Sequence, residues 1–196
     1  MELDSSFKVD APIDEVWKAV MDVERIATAV PGAELTAKLS DTTYEGMVKV
    51  RVGPLTMQYR GQIELISQDD AAHIAIFKGK GQEKAGQGTA EGTATVTLTE
   101  DGGQTVGVVH GDVALSGKAA AMGKGVINTV AQQIMGIFAN NLQTMLAGGE
   151  ATSAGESADG SVKGMTLVAG AIGSLFHRGG KEKETPKEAA TEPDKE

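Results

Sequence analysis

Between Gly117 and Gly148, apolar residues recur at spacings of three and four: Met122, Val126, Ile127, Val130, Ile134, Ile137, Phe138 and Met145. That period predicts one long helix carrying a broad apolar stripe. A stripe of this length needs an equally long apolar surface to cover it. The strands that precede it offer mostly Gly, Ala, Val and Thr, which fill little volume. Protein interiors pack to a density of about 0.74–0.76, and Gly46, Gly61, Gly92 and Ala94 at inward positions leave room that a helix of Val and Ile does not fill. The sequence therefore predicts a long helix laid across an under-filled sheet, enclosing an apolar cavity in which Met57, Met122 and Met145 are adaptable liners. The competing expectation is an ordinary core closed by Met and Val.

The elements before the helix follow from period and punctuation. Glu2–Val9 alternates and reads as a strand. Asp10-Ala11-Pro12 reads as a helix start with Asp10 as N-cap and Pro12 in the first turn. Val16, Val20 and Val23 line the helix that follows, beside Trp17. A second short helix is expected over Val23–Ala29, stopped by Pro31-Gly32. Tyr44–Val52 places Tyr44, Val48, Val50 and Val52 opposite Met47, Lys49 and Arg51. After the Gly53-Pro54 turn, Leu55, Met57, Tyr59, Ile63 and Leu65 alternate with Thr56, Gln58, Arg60, Gln62 and Glu64. Ala72–Lys80, Gly88–Thr99 and Gln104–Ser116 are three further strands. Ala94, Val96 and Leu98 oppose Thr93, Thr95 and Thr97. Strands grouped together, not interleaved with helices, predict an α+β fold with an antiparallel sheet.

Composition removes whole classes of function. The 196 residues carry a formal charge of −9, which argues against a protein that tracks nucleic-acid phosphates. With no cysteine, thiolate catalysis, disulfides and Cys-ligated metals are excluded, which suits a reducing cytoplasm. Met1-Glu2-Leu3-Asp4 lacks the apolar run of a secretory signal, and no stretch of about 18 apolar residues spans a bilayer.

The domain is expected to occupy 1–148, followed by a Gly-, Ser- and Thr-rich linker at 149–161 and a charged, disordered tail at 179–196. Between them lies 162–178. On a helical wheel, Val162, Met165, Val168, Ala169, Ile172, Leu175 and Phe176 share one sector, opposite Lys163, Gly170, Gly173, Ser174 and His177. An apolar face set against small, weakly polar residues describes an interfacial helix that depends on lipid packing more than on charge. Val162, Met165, Val168, Ile172, Leu175 and Phe176 are the expected membrane contacts, with Arg178, Lys181 and Lys183 near headgroups. The alternative is a segment that folds back or stays disordered, since Gly164, Gly170 and Gly173 weaken an isolated helix.

Several segments together resemble a known family. Ala11-Pro12-Ile13-Asp14-Glu15-Val16-Trp17 is similar to the start of the SRPBCC (START-like, helix-grip) superfamily. Within it, Val30-Pro31-Gly32-Ala33, Tyr44-Glu45-Gly46, Val52-Gly53-Pro54, Tyr59-Arg60-Gly61, Gly86-Gln87-Gly88 and Gly117-Lys118-Ala119-Ala120-Ala121-Met122-Gly123 resemble, in order, the carbon monoxide dehydrogenase G-subunit family. The likeness runs from about residue 2 to 147. It implies a curved antiparallel sheet wrapped around a long C-terminal helix. It also implies an accessory role beside a molybdenum hydroxylase of the carbon monoxide dehydrogenase type, including recruitment of that enzyme to the cytoplasmic membrane.

The expected ligand contacts are Val48, Val50, Leu55, Met57, Tyr59, Ile63, Val96 and Leu98 from the strands, with Met122, Val126, Val130, Ile134 and Phe138 from the long helix. A greasy cavity and a membrane-seeking tail together suit a carrier that brings a respiratory quinone or a lipid to the enzyme from the inner face of the membrane. No catalytic residue, covalent cofactor or metal is expected. His73, His110 and His177 lack metal-ligand spacing, and Ser5, Ser6 and Ser116 lack a nucleophile-elbow setting. Gly79-x-Gly81 and Gly86-x-Gly88 read as hairpin or bulge glycines. His110 and Asp112 share a strand face and, with Tyr59, are the groups that a small helix-grip enzyme would use. Lys49, Arg51 and Arg60 form a solvated sheet face or a small basic patch for an acidic partner or headgroups. A structural recruitment factor with a filled core is the remaining alternative.

Overall fold

The computed structural model describes residues 1–149. The chain runs β1 (Glu2–Val9), α1 (Ile13–Met21), α2 (Val23–Ala27), β2 (Ala33–Lys38), β3 (Thr43–Val52), β4 (Leu55–Asp69), β5 (Ile74–Glu83), β6 (Thr89–Asp101), β7 (Gln104–Leu115), α3 (Gly117–Ala121) and α4 (Lys124–Leu146). The strands form one seven-stranded sheet in the order β1-β7-β6-β5-β4-β3-β2, with every neighbouring pair antiparallel. The sheet is curved and unclosed, with β1 and β2 as its two edges. The α1–α2 pair therefore carries the chain from one edge to the other. The fold is the helix-grip arrangement of a curved antiparallel sheet with a long C-terminal helix.

Two apolar clusters hold α3 and α4 to the sheet. The larger gathers Phe7, Val9, Val16, Trp17, Val20, Ala75, Leu98, Leu142 and Met145, so α1 and the C-terminal end of α4 share one core with β1, β5 and β6. Leu142 is fully buried, and the Asn141 side-chain amide donates to the Ala29 carbonyl at 3.0 Å. The Gln143 side-chain oxygen accepts from the Asp10 backbone N–H. The Trp17 indole N–H donates to Asp70 at 2.8 Å, tying α1 to the β4–β5 turn. The smaller cluster gathers Met57, Tyr59 and Ala119, with Val48, Val52, Leu55, Ala90, Leu115 and Met122 around them. It fixes α3, whose start is also pinned by Thr89 N–H donating to the Ser116 hydroxyl and by Lys118 N–H donating to the Gln87 carbonyl. Lys124 and Leu142 stand about 27 Å apart along α4 at about 1.5 Å per residue. The stretch between them lies over the concave face of the sheet.

The structure departs from the sequence reading at several elements. The long helix does not run unbroken from Gly117: α3 ends at Ala121, and Gly123 (φ +80°) resets the backbone before α4 begins at Lys124. Asp10 is not the N-cap of α1, because Pro12 takes that position with extended backbone. Its carboxylate instead accepts from the Gln104 side-chain amide at 3.4 Å. The second helix ends at Ala27, and it is capped by Asp22, whose carboxylate accepts from the Arg25 N–H. β2 was not anticipated at all. Ala33–Lys38 pairs with β3 through a register shift between Leu35 and Ala37, which blurs its alternation. The expected linker at 149–161, amphipathic segment at 162–178 (with Val162, Met165, Val168, Ile172, Leu175 and Phe176) and charged tail at 179–196 lie outside the described residues, apart from Gly149. Among the described residues, no helix is long and apolar enough to cross a membrane.

Candidate functional site: an apolar cavity under the long helix

Between the two clusters, α4 and the sheet enclose a cavity of about 740 Å³. Its floor is the concave sheet face, its roof is the N-terminal two-thirds of α4, and one wall comes from α1, α2 and β2. Of the expected ligand contacts, Val48, Val50, Met57, Tyr59, Ile63, Val96, Met122, Val130, Ile134 and Phe138 line it. Three expected residues do not. Leu55 packs around the Met57–Tyr59–Ala119 cluster. Leu98 points inward but falls beneath α1, where it is 2% exposed in the main core. Val126 is 41% exposed. The cavity-facing residues of α4 are Ile127, Val130, Ala131, Ile134, Met135 and Phe138, a stripe centred slightly later than the sequence pattern suggested, so Val126 turns to solvent.

The sequence reading missed the wall. Val20, Val23, Ile26, Ala27, Val30 and Leu35 line the cavity from the segment that crosses between the sheet edges. The signal for half of them was present in the apolar face of α1 and α2. What was missing was the topology that swings this face over the sheet. Leu3 and the β7 series Val109, Gly111, Val113 and Leu115 complete the lining.

The glycines make room in two different ways. Gly46, Gly61 and Gly81 stand side by side across β3, β4 and β5, and Gly79 stands opposite Gly92. A Cβ on Gly61 would stand 1.9 Å from the Lys80 carbonyl oxygen, and one on Gly92 would stand 2.6 Å from that of Asp112. At Gly46 the corresponding approach is 2.6 Å to the Glu34 carbonyl oxygen. These glycines exist so that backbones can close on one another where the sheet bends. All three line the cavity at inward positions, as the sequence reading had them, but a neighbouring carbonyl oxygen limits the room beside each. By contrast, a Cβ on Gly79 meets nothing nearer than 4.0 Å, and one on Gly111 would make ordinary contacts from 3.6 Å.

Charge is nearly absent from the interior. Of the polar side chains along the lining, Glu34, Lys80, Glu91 and Thr93 are exposed, Ser5 and Gln62 are half-buried, and Tyr59 is buried at 8% exposure. Among the described residues, the Tyr59 hydroxyl has only the Met57 sulfur as a partner, at 3.8 Å. Burial raises the Tyr59 pKa above its ordinary value, and Glu83 adds to the shift. The phenol is therefore neutral and retains its proton.

The other candidate groups stand apart from the cavity. His110 and Asp112 do not pair. The His110 Nδ1 lies 2.6 Å from Asp4 on β1, while Asp112 receives the N-terminal amine at 3.3 Å, and both side chains are more than half exposed. Asp4 raises the His110 pKa, chiefly through the hydrogen bond and secondarily through its charge. His73 packs edge-on against Trp17 and lies 3.6 Å from Asp14. Among the described residues, no three His, Asp or Glu side chains gather to hold a metal ion. In the expected basic patch, Arg60 is engaged by Glu45, with Nε at 2.9 Å, and the Arg51 Nε donates to the Gly53 carbonyl. A second cleft of about 600 Å³ beside Glu45, Arg60, Gln62, Lys80, Gln82 and Glu91 shares several lining residues with the cavity.

Solved structures share this architecture. A protein from Geobacillus kaustophilus is 19% identical with a TM-score of 0.67, the alignment covering 76% of this chain and 96% of that one. The Zhui aromatase/cyclase from Streptomyces sp. R1128 is 16% identical with a TM-score of 0.54, covering 76% and 98%. Ara h 8.0201 is 14% identical with a TM-score of 0.50, covering 76% and 98%. At these identities the likeness concerns the fold. No curated protein matches the sequence. The family model for the carbon monoxide dehydrogenase G subunit (CoxG) matches residues 5–147.

Proposed function

The chain belongs to the carbon monoxide dehydrogenase G-subunit (CoxG) family, and from that premise we propose a non-catalytic accessory protein that holds a hydrophobic molecule and links a carbon monoxide dehydrogenase to the cytoplasmic membrane. The observation that carries this reading is the cavity. Sites for small organic ligands typically occupy about 300–1,000 Å³ with a mostly apolar lining, and about 740 Å³ lined by Val, Ile, Leu, Met and Phe falls within that range. A filled core, the competing expectation, is hard to reconcile with that volume. Voids that size lose the dispersion contacts of every residue around them unless something occupies them.

The ligand proposed is a respiratory quinone or a lipid. A dehydrogenase of the molybdenum hydroxylase type passes electrons onward, and the quinones that accept them have long tails confined to the bilayer. A carrier with a greasy interior bridges that gap, and the proposed apolar face of 162–178 would hold it at the inner membrane surface. The partners are thus the dehydrogenase, the membrane and one hydrophobic molecule. The test is extraction of the purified full-length protein with organic solvent, followed by mass spectrometry. A stoichiometric isoprenoid quinone or acyl lipid is the expected result, and a protein that carries nothing and takes up neither class from vesicles would refute it.

An enzymatic reading draws support only from the fold it shares with an aromatase/cyclase. The acid–base candidates speak against it. His110 and Asp112 face away from the cavity, and among the described residues Tyr59 is the one titratable side chain buried in its lining.

A further inference from the structure

The Tyr59 hydroxyl is a buried donor without a proper acceptor. The residue is 8% exposed, it lines the cavity, and among the described residues a thioether sulfur at 3.8 Å is its only partner. Sulfur of this kind is a weak acceptor. A hydroxyl taken out of water without a good hydrogen bond destabilises the fold, and Phe in the same place would not. The alternation of β4 asks only for an apolar residue at this position. The hydroxyl also sits at a defined end of the cavity, among Met57, Ala119 and Met122 where α3 is pinned to the sheet. At that end it is the one buried polar side chain of the lining, so a ligand with a single polar group has one place to put it.

We propose that the Tyr59 hydroxyl donates a hydrogen bond to a carbonyl oxygen of the bound molecule and so fixes which end of that molecule lies beside α3. The inference rests on the ligand-binding reading above and narrows it. The ligand is an apolar chain ending in a neutral acceptor, such as a quinone ring or a fatty ester, and not a plain hydrocarbon. A carboxylate is disfavoured, since no cationic side chain is buried in the lining. The neutral phenol, kept protonated by burial, is in the right state to donate.

The experiment compares full-length wild type with Tyr59→Phe in equilibrium binding of three probes: an isoprenoid quinone, a fatty-acid methyl ester, and an isoprenoid hydrocarbon without a carbonyl. Loss of one neutral hydrogen bond should weaken carbonyl ligands by about fivefold to tenfold. Affinity for the hydrocarbon should stay the same or rise, because Phe has no hydroxyl to desolvate. Whichever carbonyl probe shows the larger loss identifies the source. The melting temperature without ligand should not fall, since no strong bond is removed. If Tyr59→Phe binds all three probes as wild type does, or weakens all three equally, the assignment is wrong. If wild type binds none of the three, the ligand-binding reading itself has failed. A second readout needs no variant: the infrared carbonyl stretch of a carbonyl-labelled quinone should move to lower frequency on binding wild type. An unshifted stretch in a saturated complex would also overturn the assignment.

Discussion

At the scale of single residues, small side chains facing a cavity fall into two kinds with opposite consequences. Ala94 and Gly79 border open space, whereas Gly61 touches the backbone of the next strand. Ala94→Leu should therefore fill part of the cavity, leave the melting temperature close to wild type, and weaken uptake of a fluorescent quinone or lipid. Gly61→Val should instead cost several kcal/mol, more than the roughly 1–3 kcal/mol of ordinary overpacking, because a carbonyl oxygen must move. Thermal melts beside a binding assay separate the two, and strong destabilisation by Ala94→Leu would mean that the space is not open. A second residue-level prediction concerns the His110–Asp4 pair. Its raised folded-state pKa means that its stabilising effect is fully present below the ordinary histidine value of 6.5 and fades as pH climbs through the raised value. The melting temperatures of wild type and His110→Gln should differ below pH 6.5 and converge at higher pH. Both side chains are exposed, so the difference will be small.

At the scale of elements, α4 behaves as a beam fixed at its ends. Leu142 and Met145 anchor one end and the α3 cluster the other, while Gly136 lies mid-helix with nothing within 4 Å of where a methyl group would stand. Gly136→Ala should raise stability by up to about 1 kcal/mol through helix propensity alone. Leu142→Ala should lower it by about 2–5 kcal/mol, because the side chain is fully buried where three elements meet. Urea denaturation checks both. This element was largely legible in the sequence, since its stripe of Val130, Ile134 and Phe138 is what faces the cavity. Its break was not: Gly123 and Gly125 lay inside a pattern that kept its period, and period alone does not report a positive φ. β2 was hidden because Ala33-Glu34-Leu35-Thr36-Ala37-Lys38 has only one bulky apolar residue and shifts register midway. The close-contact role of Gly61 and Gly92 was also unreadable, because it depends on which carbonyl of a neighbouring strand lies opposite. Alternation identifies a strand's faces, but the register that sets such approaches is a property of the assembled sheet.

At the scale of the whole molecule, the described residues 1–149 by themselves form the seven-stranded sheet and both apolar clusters. Among the described residues, both clusters and the hydrogen bonds that pin α3 and α4 close without any segment beyond Gly149. Truncation after Gly149 should therefore leave the melting temperature nearly unchanged. The same truncation should abolish co-sedimentation with liposomes if the apolar sector of 162–178 is the membrane element. The net charge of −9 bears on how the proposed attachment would work. An acidic protein is repelled by anionic headgroups, and Lys181 and Lys183 are offset by Glu182 and Glu184, so under the proposed attachment the attraction would come mainly from burying Val168, Ile172, Leu175 and Phe176. Liposome binding by the full chain should accordingly change little between low and high salt, and Ile172→Glu with Leu175→Glu should abolish it without moving the melting temperature. Wild-type sedimentation by the truncated domain would place the membrane contact within 1–149. A large fall in melting temperature on truncation would instead mean that the segment after Gly149 packs on the domain, where it would act on the cavity and not on the bilayer.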